Sequence, residues 1–197
     1  MQKAFETLIH SYLENKVGIA DHFLQERLAM ALRAHLSSLY HANAFLTGGT
    51  GNDEGLTFDS LRRSDVIYWL DRQHGNACEN EFLTLMDDFV SYLNSTCYTG
   101  ITGYEFHFTM YEAGAFYRRH LDQFRSDDSR QYSMVIYLNN NWTEGDGGQL
   151  RVHQDNNEYD ITPRGGRGIF FKSSELEHEV LVTNTERISI TGWLKTR

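Results

Sequence analysis

The stretch "ERISITGWL" (186–194) decides the fold, because its residues alternate between two chemical types. In an extended strand successive side chains point to opposite faces, so the aliphatic residues of this stretch share one face. The opposite face carries Arg187, Ser189, Thr191 and Trp193. The aliphatic face is expected to pack into a core. The polar face fits either exposure to solvent or a ligand cavity in the mouth of a barrel.

The chain on the N-terminal side of this stretch, back to Gly100, has the same texture. Short runs rich in β-branched and aromatic residues alternate with turn signals such as "DGG" (146–148) and "PRGG" (163–166). Short strands at this spacing predict a barrel or a double-sheet jelly roll. The predicted strands are 103–111, 116–121, 132–139, 149–154, 158–162, 168–172, 178–183 and 187–194.

The first half of the chain is predicted to form a helical flank. Apolar residues recur at helical spacing in 4–16, from 20 to about 45, and around 79–95. A short strand is predicted at 64–70. The glycine-rich segment 47–55 is predicted to be a flexible loop, and it is no phosphate-binding loop because no Gly-Lys-Ser/Thr follows it.

These patterns predict an α+β fold with a double-stranded β-helix (jelly-roll) core and N-terminal flanking helices. Residues 1–197 are expected to form a single domain, in which about 1–99 are the helical flank plus the first strand. The jelly-roll core then occupies about 100–197. A chain of 197 residues with 40% hydrophobic content is long enough to bury one such core.

Composition narrows the partners and the compartment. The formal net charge of −9 argues against a broad phosphate-binding surface, so nucleic acid is not an expected partner. No 18-residue apolar run indicates a membrane span, and charges interrupt residues 1–16, unlike a signal peptide. Cys78 and Cys97 form no disulfide framework, which favours a cytoplasmic location.

The motif "HLD" (120–122) places an imidazole and a carboxylate two residues apart. On a regular strand both point the same way, as a surface pair, a structural hydrogen bond or two ligands of one metal. His178 and Arg187 follow in the chain, and two imidazoles with one carboxylate form the facial triad of non-haem Fe(II) oxygenases. An arginine nearby suits a dicarboxylic co-substrate. A Zn(II) hydrolase is a weaker alternative, because no HExxH motif is present.

With these motifs the chain resembles the Fe(II)- and 2-oxoglutarate-dependent dioxygenases. Within them it is most similar to the prolyl 4-hydroxylase branch, including the hypoxia-factor prolyl hydroxylases and their small bacterial relatives. The resemblance covers roughly residues 60–195. The matching stretches are "LRRSDVIYWL" (61–70), "MYEAGAFYRRHLD" (110–122), "VIYLNNNW" (135–142), "DGGQL" (146–150), "EHEV" (177–180) and "ERISITGWL" (186–194).

The resemblance implies a role for each matching residue. His120, Asp122 and His178 would be the iron ligands, and Arg187 would pair with the distal carboxylate of 2-oxoglutarate. The remaining co-substrate neighbours implied are Tyr137, Thr191 and Tyr111. The loop after Tyr111 is one residue shorter than in the animal enzymes.

Three further residues are predicted to contact substrate. Trp193 matches a family tryptophan near the substrate entrance, and Arg62 belongs to a family segment before a loop that covers substrate. Arg118 is expected on the same strand face as His120. An exposed position at the rim is an equal alternative for Arg118. A structural role in a capped edge strand is an equal alternative for Arg62.

The activity implied by the resemblance is hydroxylation of prolyl residues in a protein, coupled to decarboxylation of 2-oxoglutarate to succinate. It would need Fe(II), 2-oxoglutarate and O₂, with ascorbate as a possible reductant. Elongation factor Tu is a candidate substrate from the resemblance to bacterial relatives alone. Two alternatives stay open: the same cofactor chemistry on a free amino acid or other small molecule, and a non-catalytic sensor module that binds iron and 2-oxoglutarate.

Overall fold

The computed structural model describes residues 2–49, 59, 61–123 and 127–196. The helices are α1 (Gln2–Asn15), α2 (Glu26–His41) and α3 (Ala77–Cys97). The first strands are β1 (Val17–Ala20), β2 (Leu46–Thr47), β3 (Val66–Trp69), β4 (Gly103–Tyr111), β5 (Tyr117–His120) and β6 (Arg130–Tyr137). The later strands are β7 (Leu150–Gln154), β8 (Asn157–Ile161), β9 (Gly168–Lys172), β10 (Glu177–Val180) and β11 (Arg187–Lys195).

The strands form two antiparallel sheets, which together make the jelly-roll core that the sequence predicts. The larger sheet has the order β1-β9-β6-β11-β4-β3-β2, and the smaller one has the order β5-β10-β7-β8. Apolar residues of both sheets, such as Val135 and Phe171 from the larger and Leu150 and Val180 from the smaller, form one buried cluster between them. The predicted α+β fold class is therefore confirmed.

The helices cover the outer face of the larger sheet. Phe89 of α3 is fully buried and contacts Phe5 of α1 and Phe170 of β9, with ring centroids 5.0 and 5.7 Å apart. The helix α3 begins where Asn76 accepts hydrogen bonds from the backbone N–H groups of Cys78 and Glu79. None of the helices in the described part of the chain is long and apolar enough to cross a membrane.

The predicted start of the second helix is wrong. Residues 17–20 form β1, which pairs with β9 in the register Val17↔Phe171, and α2 begins only at Glu26. Three of the four β1 residues are buried, so this short apolar run has no alternation that would distinguish it from a helix. Of the predicted loop 47–55, Thr47 lies in β2, and 50–58 lie outside the described residues.

Strand β11 occupies the middle of the larger sheet, between β4 and β6. Its alternation is the one that the sequence predicts: Ile188, Ile190 and Leu194 are buried in the cluster beneath the helices. Its polar face is not exposed to solvent, since Arg187 is only 3% exposed and Ser189 is fully buried. The solvent-facing interpretation of this face is therefore wrong, and the face is directed into the space between the sheets.

Candidate metal and co-substrate site

The two polar residues of the "HLD" motif meet a histidine from a distant part of the chain at one end of the smaller sheet. His120 ends β5 and lies directly opposite His178 of β10 in the strand register, and Asp122 follows two residues after His120. One ligand atom from each of the three lies within 4.8 Å of the others, and all three residues are buried. The Asp122 carboxylate reaches both rings, at 3.5 Å from His120 Nε2 and 3.8 Å from His178 Nε2.

Backbone carbonyls orient the two imidazoles. His120 Nδ1 lies 2.7 Å from the Arg118 carbonyl, and His178 Nδ1 lies 3.1 Å from the Leu176 carbonyl. A carbonyl can only accept, so each Nδ1 carries the proton and each Nε2 presents its lone pair toward Asp122. Such a second hydrogen bond is the usual device that fixes the tautomer of a metal-binding histidine.

The ionisation states in the cluster also suit a divalent cation. Burial, together with the neighbouring His120, lowers the pKa of His178 to about 4, so its ring is neutral at neutral pH. Burial alone would raise the pKa of Asp122, but His178 and His120 hold that pKa well below its usual range. Two neutral imidazoles and one carboxylate are the donor set of a facial Fe(II) site. The cluster can therefore hold the metal that the sequence implies.

A bulge, rather than regular alternation, builds this corner. His178 pairs with His120, but Val180 pairs with Tyr117, so two steps along β10 match three along β5. Tyr117 and His120 consequently point to the same side, while Arg118 is exposed. The prediction that Arg118 shares the face of His120 is wrong for this reason. Asp122 also lies beyond the end of β5, so the pair is not carried by one strand face.

The cluster opens into a cavity of about 660 Å³ between the sheets. Besides His120, Asp122 and His178, the wall includes four residues that the resemblance implies: Tyr111, Arg187, Thr191 and Trp193. Further aromatic and polar side chains complete it, among them Trp69, His107, Thr109, Tyr117 and Arg130. Neither Arg62 nor Arg118, both exposed, lines this cavity.

Arg187 is a buried cation with no carboxylate within ion-pair distance among the described residues. Its Nε donates to the Gly148 carbonyl at 2.7 Å, and its Cζ lies 4.9 Å from the ring centroid of Tyr111 and 5.1 Å from that of Tyr137. A buried charge without a counter-ion is costly unless a ligand supplies one. The position therefore fits a carboxylate of the co-substrate.

Tyr137 supplies a second unused polar group beside Arg187. The residue is fully buried, and its hydroxyl makes no hydrogen bond within the part of the chain that the structure describes. Burial raises its pKa, although the charge of Arg187 opposes that shift, so the group stays a neutral donor. An unpaired donor next to an unpaired cation is the arrangement that a dicarboxylate end group would satisfy.

The other implied residues, Tyr111, Thr191 and Trp193, line the same cavity as Arg187. Tyr111 is buried, which raises its pKa well above the ordinary value. Thr191 Oγ1 accepts a hydrogen bond of 3.2 Å from Thr109. Trp193 is 8% exposed, and the Arg130 guanidinium lies 3.4 Å from its ring centroid.

Sequence reasoning missed several cavity residues. His107, which is not among the predicted site residues, lies in the cavity wall, directly opposite Thr191 in the β4–β11 register. The alternation of β4 carries the signal, because His107, Thr109 and Tyr111 face the same side and pair with the polar face of β11. Tyr117 and Arg63 were missed as well, and no local pattern identifies them.

Known proteins share both the sequence features and the fold. The family described as the 2OG-Fe(II) oxygenase superfamily matches residues 106–195. A prolyl-4-hydroxylase from Pseudomonas putida is 35% identical, with a TM-score of 0.87 and a match that covers 98% of this chain and 99% of that one.

Two other solved structures extend the comparison. A prolyl hydroxylase from Trichoplax adhaerens, in complex with a hypoxia-inducible factor peptide fragment, is 25% identical at a TM-score of 0.87, covering 99% of this chain and 90% of its own. A viral collagen prolyl hydroxylase from Paramecium bursaria Chlorella virus-1, solved with 2-oxoglutarate, shares the fold at 21% identity and a TM-score of 0.62. The match covers 93% of this chain and 97% of the viral one.

Proposed function

This chain belongs to the prolyl 4-hydroxylase-like branch of the 2OG-Fe(II) oxygenase superfamily, and we propose that it hydroxylates prolyl residues of a protein substrate. It is a 2-oxoglutarate-dependent dioxygenase that uses Fe(II), 2-oxoglutarate and O₂. The observation that carries the proposal is the pairing, in one cavity, of the His120, Asp122 and His178 cluster with the uncompensated Arg187.

In this proposal two neutral imidazoles, of His120 and His178, and the carboxylate of Asp122 hold the iron. Bound Fe(II) supplies the oxidative chemistry that couples decarboxylation of 2-oxoglutarate to insertion of one oxygen atom of O₂ into a C–H bond. Arg187 binds the distal carboxylate of 2-oxoglutarate, and the Tyr137 hydroxyl donates to the same group. Both act in a buried environment, where charge-assisted hydrogen bonds are strong.

The remaining wall residues orient the reactants and limit water. Tyr111 lies beside Arg187, and both Tyr111 and Thr191 line the cavity that contains the metal cluster, where they would border the co-substrate. Trp193, packed beneath Arg130, forms the wall of the cavity toward its mouth. Because Tyr111 stays un-ionised at neutral pH, it adds no negative charge that would repel a dicarboxylate.

A protein substrate is supported by the rim of the cavity. Leu46, Trp69 and Leu121 line the cavity and are also 70%, 43% and 41% exposed. Large apolar side chains gathered at the mouth of a pocket are typical of a surface that binds another protein. The Trichoplax relative binds a peptide fragment, which fits the same interpretation.

The finer assignments of this proposal are a cytoplasmic location and elongation factor Tu as one substrate to test. Arg62 and Arg118, exposed outside the cavity, are proposed as contacts for a substrate that extends beyond the bound prolyl residue. Ascorbate would serve to keep the iron reduced.

The deciding experiment loads the protein anaerobically with Fe(II), 2-oxoglutarate and ascorbate, then adds O₂ and measures succinate. Parallel reactions contain purified elongation factor Tu, whole-cell protein extract or free L-proline, and His178→Ala is the inactive control. Succinate that rises with protein, together with a mass increase of one oxygen atom on a prolyl residue, supports the proposal. Turnover with free proline alone would indicate a small-molecule enzyme, and no turnover under any condition would indicate a sensor module.

A further inference from the structure

The ring of His120 is fixed on its face as well as on its edge. Its edge is held by the Nδ1 hydrogen bond to the Arg118 carbonyl. On its face lies the ring of Tyr117, parallel within 15° and with the two centroids 3.6 Å apart. The β5 bulge makes this contact possible, because in a regular strand residues 117 and 120 would point to opposite sides.

A guanidinium group also packs against the Tyr117 ring. Arg63 Cζ lies 4.4 Å from the Tyr117 ring centroid, within range of a cation–π contact. Guanidinium, phenol ring and imidazole thus form a stack that ends at a residue of the metal cluster. Burial raises the pKa of Tyr117 to about 12, so the middle member of the stack is neutral at neutral pH.

Arg63 is itself held by three hydrogen bonds. It binds Asp65 through two of them, Nε to Oδ1 at 2.7 Å and Nη2 to Oδ2 at 2.5 Å, and donates from Nη1 to the Gly49 carbonyl at 2.7 Å. The Arg63 side chain is 11% exposed and that of Asp65 is fully buried. Only the planar fork of arginine can pair with a carboxylate in this way and also lie flat over an aromatic ring.

Backbone hydrogen bonds join the two segments that carry the stack. The Arg118 N–H donates to the Arg62 carbonyl at 2.8 Å, and the Ser64 N–H donates to the Phe116 carbonyl at 3.1 Å. On the other side, Gly48 packs so closely that a Cβ atom there would lie 2.7 Å from Arg63 Nη2. Buried ion pairs add little net stability, so stabilising the fold does not by itself explain the Arg63–Asp65 pair.

We propose that Tyr117 and Arg63 are positioning residues for His120, and that their stack sets the affinity of the metal site and links it to residues 46–49. The stack restricts rotation of the imidazole, so its Nε2 is directed at the metal before the metal binds. Loss of such outer contacts at metal sites costs about 10- to 100-fold in affinity. This inference rests on the metal assignment and is independent of which substrate is hydroxylated.

The test is a Co(II) titration of the full chain and of four variants, followed by the visible absorption of bound Co(II), which reports ligand geometry. Tyr117→Leu is expected to weaken Co(II) binding about 10- to 100-fold and to change the absorption spectrum. Tyr117→Phe keeps the ring and should restore affinity to within about threefold of the parent. Arg63→Lys keeps the charge beside Asp65 without the planar fork, and should also weaken Co(II) binding and alter the spectrum.

A matched control separates the stack from arginine replacement in general. Arg151 of β7 forms an equivalent two-bonded pair with Asp160 of β8, at 2.8 and 3.0 Å, and Arg151 does not line the cavity. Arg151→Lys should leave Co(II) affinity and the spectrum unchanged. The proposal is overturned if Tyr117→Leu binds Co(II) within about threefold of the parent with the same spectrum. Should Tyr117→Leu fail to fold, parent-like Co(II) binding by Arg63→Lys overturns it instead.

The link to residues 46–49 has its own readout. The Gly48 amide donates to the Asp65 carbonyl at 2.9 Å, so its hydrogen exchange reports the stability of this segment. Because coupling between sites is reciprocal, Co(II) should slow exchange at Gly48 in the parent and not in Tyr117→Leu. Equal slowing in both proteins would refute the link, and absence of Co(II) binding by the parent would instead refute the metal assignment.

Discussion

Tyr111 and Arg187 lie directly opposite each other in the β4–β11 register, with the Arg187 Cζ 4.9 Å from the centroid of the Tyr111 ring. The aromatic ring stabilises the cation without neutralising it, which leaves the guanidinium available to an anion. In the same cavity, His120, Asp122 and His178 leave coordination positions for a chelating ligand. Because Arg187 and the metal cluster line one cavity, a ligand with a carboxylate at each end can contact both.

Arg187→Met is expected to raise the Kd of 2-oxoglutarate by about 30-fold or more, because loss of a buried charge partner costs about 2–5 kcal/mol. The same substitution removes an uncompensated buried cation, so the ligand-free protein should unfold at an equal or higher temperature. Calorimetric titration with Mn(II) present and thermal unfolding measure the two effects. The control is Arg151→Met, because Arg151 lies on β7 of the smaller sheet and does not line the cavity. Parent-like affinity in Arg187→Met would contradict the assignment.

Tyr137→Phe tests the second unpaired group. Its hydroxyl has no hydrogen-bond partner among the described residues, so its removal should leave the free energy of unfolding of the ligand-free protein unchanged or raised. A hydrogen bond to a charged ligand contributes about 1.5–3 kcal/mol, so the Kd of 2-oxoglutarate should rise about 10- to 150-fold. Urea unfolding and calorimetry measure these quantities. A clear loss of stability with unchanged affinity would show that the hydroxyl serves the fold instead.

The order of the elements was predictable because it depends on local signals. The strands after Gly100 are short, alternate in polarity and end at turn residues, and each of the eight predicted runs is a strand with its bounds shifted by a few residues. That His120 and His178 share one site was predicted from the triad pattern and the family resemblance, not from the strands that carry them. The helices α1 and α3 were equally clear, because each has one apolar face that packs on the larger sheet.

What was missed depends on tertiary structure. The bulge that turns Tyr117 toward His120 is a property of the β5–β10 pairing, and no spacing rule places Arg118 outside. Strand β1 exists because β9 offers an edge to pair with. The contact of Arg63 with Tyr117 needs two segments to approach from separate sheets, although residues 61–70 had already been recognised as part of the family pattern.

His107 predicts a specific acid sensitivity. Burial lowers its pKa from 6.5 to about 4, so in the folded protein it stays neutral where the unfolded chain is protonated. The stability that this neutral histidine allows is therefore present above pH 6.5 and lost as the pH falls toward 4, by on the order of 3 kcal/mol. In His107→Phe, the free energy of unfolding should depend on pH less steeply across this window.

The measurement is urea unfolding with a metal chelator present, so that competition between metal and protons does not contribute. His178 titrates in the same window with the same sign, because burial lowers its pKa to about 4 as well. On unfolding in this range the parent should therefore take up about one proton more than His107→Phe does. An unchanged slope in His107→Phe would show that this histidine is not neutral in the folded protein.

Gly148 lies in a turn next to Arg187, the residue proposed to bind the co-substrate carboxylate. Replacing Gly148 distinguishes the cost of backbone strain from an effect on 2-oxoglutarate binding. Its φ is +69°, and an added Cβ would lie 2.9 Å from Arg187 Cδ. Gly100 has a similar φ of +67°, with no atom within 4 Å of such a Cβ. Gly100→Ala should lower the free energy of unfolding by about 1–2 kcal/mol, since left-handed backbone disfavours a side chain. Gly148→Ala should lower it further, because the added Cβ would also lie 3.0 Å from Thr183 Cβ and Oγ1.

Only Gly148→Ala should also weaken 2-oxoglutarate binding, by about tenfold or more, because a displaced guanidinium loses its aligned pairing with the carboxylate. Co(II) affinity should stay close to that of the parent in both variants, since neither glycine contacts His120, Asp122 or His178. Calorimetric titrations with each ligand measure this split. Equal 2-oxoglutarate affinity in the two variants would mean that Arg187 can move without loss, and that its position is not what selects the dicarboxylate.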